Sequence, residues 1–90
     1  MRFEWDEAKR QSNIVKHKID FVRARLIFDG RPHFDRHSPR GSEQRFLRIA
    51  ALEGRLIAVA WTWRGKDVVG IISARRARDE EERAYRHLHG

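Results

Sequence analysis

Residues 55–78 read RLIAVAWTWRGKDVVGIISARRAR, and this stretch decides the fold. Leu56 to Trp63 and Asp67 to Ser73 are rich in β-branched and aromatic residues, with Arg64-Gly65 between them. That pattern predicts one β-hairpin. A two-residue loop at Arg64-Gly65 would pair Trp63 with Lys66, Trp61 with Val68, Val59 with Gly70 and Ile57 with Ile72. One face then carries Ile57, Val59, Trp61, Val68 and Ile72, and the other Leu56, Ala58, Ala60, Val69 and Ile71. Both faces are apolar, as expected of central strands covered on each side. A longer turn would slip the register and exchange the faces. The cations sit at the ends: Arg64 and Lys66 at the turn, Arg55, Arg75 and Arg76 at the other end.

Upstream, Glu43 to Leu52 alternates as a third strand, and Glu53-Gly54 is a hairpin turn signal. His33 to Arg36 forms a brief strand, followed by a polar loop from Ser38 to Ser42. Two short helices precede these strands. Asp6 caps a helix from Glu7 to about His17, and Asp20 caps one from Phe21 to Phe28, where Phe21, Ala24 and Phe28 share a face. Phe3 and Trp5 alternate with charged residues, which fits an edge strand or an extended lead-in. Ala77 to His89 closes the chain as a helix whose large apolar residues are Tyr85 and Leu88, so it is expected to lie loosely on the domain. Consecutive strands flanked by helices predict an α+β fold: two N-terminal helices, a small antiparallel meander of three to four strands and a C-terminal helix.

A length of 90 residues predicts a single domain over 1–90. Twenty Lys and Arg against 13 Asp and Glu give a net charge of +7. The positive charge is spread through the chain rather than gathered in a tail, which points to a folded basic surface and a polyanionic partner. The absence of cysteine excludes a disulfide framework. The N-terminal decad MRFEWDEAKR lacks the apolar core of a signal peptide, and no run approaches a membrane span, so a cytoplasmic address and no membrane partner are expected.

Two constellations could carry chemistry. Arg45, Arg64, Arg75 and Arg76 accompany Trp61, Trp63 and Tyr85. Guanidinium groups hold phosphates and aromatic faces stack on unpaired bases, which suits single-stranded RNA. The competing expectation is that the tryptophans are core and the arginines a solvated rim. The second constellation is His37 with Glu43 and Arg45, and His33 nearby. RNA cleavage without a metal needs a base for the 2′-hydroxyl, a cation for the phosphorane and an acid for the leaving oxygen. The histidine pairs His33/His37 and His87/His89 lack the cysteines or clustered carboxylates of a metal site, so no metal and no cofactor are expected.

In series, these residues resemble the BrnT family of bacterial toxins. The matching pieces are Phe3-Glu4-Trp5-Asp6-Glu7-x-Lys9, Asn13-x-x-Lys16-His17, Phe28-Asp29, Asp35-x-His37-Ser38, Glu43-x-Arg45-Phe46, Gly54-Arg55, Arg64-Gly65, Ile72-Ser73-Ala74-Arg75 and Glu82-Arg83 near Tyr85. Lys18 stands where the family usually has glycine. The resemblance implies a RelE-like fold and a metal-independent endoribonuclease that blocks translation. It also implies a cognate ribbon-helix-helix antitoxin, BrnA-like, through which the complex touches operator DNA and represses its own operon. The residues expected in catalysis are His37, Glu43, Arg45, Arg75 and Tyr85; those expected to bind RNA are Arg64, Lys66, Arg76 and Trp63. The rival expectation is a non-catalytic basic module that binds nucleic acid or an acidic protein, as a degenerate toxin kept as a regulatory subunit would.

Overall fold

In the computed structural model, which describes residues 1–90, Asp6 and Asp20 start two helices as their sequence contexts demand. Asp6 Oδ1 accepts the Lys9 amide hydrogen at 3.1 Å and opens α1 (Glu7–His17). Asp20 Oδ1 accepts from the Val22 amide at 2.9 Å and opens α2 (Phe21–Ala24), which tightens into a 3₁₀ turn over Arg25–Phe28. Lys18 ends α1 in the left-handed conformation, φ 60° and ψ 28°, a geometry glycine adopts freely and lysine does not.

The strands are β1 (Arg2–Glu4), β2 (His33–His37), β3 (Arg45–Leu52), β4 (Arg55–Gly65) and β5 (Val68–Arg76), and α3 (Asp79–His89) follows them. They form one sheet in the order β1-β5-β4-β3-β2. The expected antiparallel meander spans β2 to β5, but the sheet has five strands and is mixed, because β1 runs parallel to β5 at the far edge. A three-residue strand whose partner lies at the other end of the chain carries no turn signal that local reading could use.

The hairpin register also differs from the expected one. The loop is Lys66-Asp67, not Arg64-Gly65: Gly65 pairs with Val68, and Asp67 takes φ 61°. Bulges at Arg64 and Ile72 shift the pairing, so that Trp63 lies opposite Val69 and Trp61 opposite Ile71. Val69 and Ile71 therefore join Ile57, Val59 and Trp61 in one core cluster, while Val68 and Ile72 fall outside it. Phe21, Ala24 and Ile27 cover this cluster from the α1/α2 side. On the opposite face Ile49 and Ala58 pair with each other and are fully buried, and α3 packs against β3 and β2.

Two polar residues fasten the layers. Asn13 on α1 is 6% exposed and treats β5 as a strand would. Its Nδ2 donates to the Ala74 carbonyl at 2.8 Å, its Oδ1 accepts the Ala74 amide at 3.1 Å, and Nδ2 also donates to Ile19 O. Glu81 on α3 is 2% exposed and accepts two hydrogen bonds from Arg75. With His89 Nε2 donating to the His33 carbonyl at 2.9 Å, α3 is anchored at both ends rather than loose.

Candidate functional site

Where the first turn of α3 meets β2, β3 and β5, the α3 face opens into a cleft of about 370 Å³. Five guanidinium groups line it: Arg36, Arg40, Arg45, Arg75 and Arg78. Ser38 and Ser73 add hydroxyls, and Leu47, Ala60 and Ile72 form an apolar floor. The strand alternation of β3 and β5 puts Arg45 and Arg75 on this face, and the chain leaving β2 brings Ser38 and Arg40 over it.

The cations differ in how far they are neutralised. Arg75 is held two-armed by Glu81, and that pairing raises its pKa; Glu81 in turn is lowered, first by Arg75 and then by the Arg78 amide that it caps. Arg45 Nε donates to Glu43 at 2.5 Å, and Arg64 Nη1 reaches the other oxygen at 3.2 Å. The Arg45 hydrogen bond is the main reason that the Glu43 carboxyl sits below its usual range. Arg36 has only a long contact to Glu80, 3.8 Å. Arg40 and Arg78 make no ion pair, so their guanidinium groups are available to an incoming anion, although Glu80 and Glu81 also line the cleft.

Of the residues expected in catalysis, the cleft gathers Arg45 and Arg75, with Glu43 beside them through Arg45. His37 lies opposite Phe46 on the other face of the sheet, its ring 5.4 Å from that ring and its Nε2 2.5 Å from Gln44 Oε1. Tyr85 packs beside His89, ring centres 4.9 Å apart, and does not line the cleft. The residues expected to bind RNA are dispersed. Arg64 lies over Gly70, leaving no room for a Cβ there, and lines a separate hollow with Lys9. Lys66 sits in the exposed hairpin turn, and Arg76 lines a groove with Lys18 and Arg55 on the helix α1 side. Trp63 is 50% exposed, edge-on to Trp61 at 5.2 Å, whereas Trp61 is core at 4%. Arg48, bonded to Asp35 by both arms at 2.9 Å, lies 4.4 Å above the Phe28 ring on that same side.

Sequence reading missed Arg36, Arg40, Arg78 and Glu81. Glu81 carried one usable signal: a glutamate three residues after the helix start reaches back to the first free amide. No three His, Asp or Glu side chains converge as metal ligands, and no helix is long and apolar enough to cross a membrane.

Residues 5–81 match a family model described as the ribonuclease toxin, BrnT, of type II toxin–antitoxin systems. Among solved structures the chain is similar to the crystal structure of the Brucella abortus ribonuclease toxin, BrnT. The two are 32% identical with a TM-score of 0.71, over 88% of this chain and 99% of that one. No curated protein matches the chain.

Proposed function

Because the chain belongs to the BrnT family of ribonuclease toxins, we propose that the arginine cleft binds RNA and cleaves it without a bound metal, arresting translation. The carrying observation is the convergence of Arg36, Arg40, Arg45, Arg75 and Arg78 on one cleft that also holds Ser38 and Ser73. In this reading the 2′-oxygen attacks phosphorus to form a phosphorane with added negative charge, which collapses as the 5′-oxygen leaves and takes a proton from water. Arg45 and Arg75 neutralise that charge; Arg36, Arg40 and Arg78 hold flanking phosphates. Glu43, ionised and touching Arg45, accepts the hydroxyl proton. Its low pKa keeps it in the accepting form and limits it to weak base catalysis, so charge neutralisation carries most of the rate. His37 and Tyr85, which neither line the cleft nor bond to its arginines as Glu43 does, are not given a proton-transfer role.

The partner is a cognate antitoxin with a ribbon-helix-helix part, and the complex represses its own operon through that part. A docking segment of the antitoxin that is acidic would complement the net charge of +7. Binding of the native state would raise the melting temperature of the toxin.

A specific feature favours a second reading. Arg45 and Arg75 are both already paired with carboxylates, and no histidine lines the cleft. A non-catalytic RNA binder would look the same. Induced expression in a bacterial host separates the two: growth arrest with discrete RNA fragments supports cleavage, and normal growth with intact RNA supports the binder.

A further inference from the structure

The arginine cleft does not end at β5. A second hollow of about 180 Å³ lies between β5 and α1, lined by Lys9, Ser12 and Lys16 among others. Ile72 and Ser73 line both hollows, so the two are neighbours on either side of the bulged part of β5. Lys9 and Lys16 are seven residues apart on α1, which puts them on one face about 10.5 Å apart along the axis, with Ser12 between. Asn13 lies on the same face at the base of the hollow, where its side chain is clamped on Ala74.

Both ammonium groups are exposed and make no ion pair. The acid nearest in sequence, Glu7, is occupied by Arg10 and Gln11 at 2.6 and 3.0 Å. Lys9 also sits in the first turn of α1, at the positive end of the helix dipole, where a cation is disfavoured. Glu4 and Asp6 line a neighbouring hollow with Lys9 but form no ion pair with it, so its charge is available to a bound anion.

We propose that single-stranded RNA leaves the arginine cleft over Ser73 and runs along α1, with Lys9 and Lys16 each holding a backbone phosphate. The proposal rests on the ribonuclease reading of the cleft and extends its path by residues outside it. An acidic protein segment fits less well: Ile72 is the apolar residue of the second hollow, and a docked peptide needs a larger apolar contact to hold it.

The test compares the wild type with the Lys9→Ala/Lys16→Ala double variant. The ligands are 2′-O-methyl oligonucleotides, which lack the attacking hydroxyl, of 3 and 12 nucleotides. Removing two phosphate contacts lowers the salt slope for the 12-mer by about 1.4, at roughly 0.7 per contact, and weakens its binding about tenfold at 0.15 M salt. The 3-mer, filling only the arginine cleft, keeps its affinity. A Lys9→Arg/Lys16→Arg variant restores the 12-mer. Unchanged 12-mer affinity and slope overturn the path, and so does an equal loss for both lengths. If the double variant keeps its RNA affinity but loses the antitoxin, the surface belongs to a protein partner and the proposal falls. Failure of the wild type to bind either oligonucleotide removes the ribonuclease reading and the path together.

Discussion

Arg75 and Glu81 meet as a two-armed ion pair, Nη1–Oε1 and Nη2–Oε2 both 2.9 Å, with the Glu81 side chain 2% exposed. The pair ties the last strand to the helix that walls the cleft. Arg75 is thus a structural residue as well as a candidate for phosphate.

Arg75→Ala leaves a buried carboxylate without its cation. We expect a loss of about 3 kcal/mol. In a domain of this size that lowers Tm by about 15 °C. A circular-dichroism melt measures it, and a Tm within about 2 °C of wild type would show that the pair is dispensable. Inactivity of this variant does not by itself assign Arg75 to catalysis.

The same pair predicts the acid response. Glu81, Asp20 and Glu43 all have carboxyl pKa values lowered in the folded state, and Asp29 is lowered from 3.8 to about 2 by its hydrogen bonds from Arg31. A depressed folded pKa contributes stability that is fully present above the unfolded value of about 4 and disappears as pH falls through the folded one. The urea midpoint should hold between pH 7 and about 5, then drop steeply toward pH 2. Glu81→Gln should start lower at pH 7 and converge on wild type in acid. A midpoint flat from pH 5 to 2 would contradict this.

Asn13→Ala strands both backbone groups of Ala74 and the Ile19 carbonyl, at a cost of about 2 kcal/mol. Hydrogen exchange should show the Ala74 amide losing protection well before its β5 neighbours. Uniform loss across the sheet would mean that Asn13 is only one more packing contact.

Lys18→Gly is expected to stabilise the protein. The left-handed residue at φ 60° costs a non-glycine about 1–2 kcal/mol, against about 0.5–1 kcal/mol for the extra entropy of glycine in the unfolded chain. The net gain, about 0.5 kcal/mol, is read as a higher urea midpoint. A lower midpoint would show that the Lys18 Nζ bond to Val15 O outweighs the strain.

What the sequence made legible was local. Asp6 and Asp20 are caps that act within three residues, and Glu53-Gly54 turns with φ 54° and 80°, as an acid followed by glycine should. What it hid depends on distance or on parity. The pairing of β1 with β5 joins the two ends of the chain. One bulge at Arg64 sends Val69 and Ile71 to the opposite face from the one that alternation assigned. Parity likewise separates His37 from Arg45: neighbours by motif, they sit on opposite faces of the sheet. The buried Glu81 read as one of a run of four acids at a helix start, and only the fold singles it out.

In the proposed function Arg45 and its neighbours cleave RNA by neutralising phosphate charge. The most direct measurement is cleavage of end-labelled RNA by purified protein in EDTA, comparing wild type with Arg45→Ala and Arg40→Ala. Both substitutions remove partly exposed side chains and should leave Tm nearly unchanged. We expect discrete wild-type fragments with EDTA present and Arg45→Ala slower by at least about 100-fold. Arg40→Ala should fall less and act through RNA binding. A folded Arg45→Ala that cleaves at the wild-type rate, or wild-type cleavage that disappears with EDTA, would contradict it.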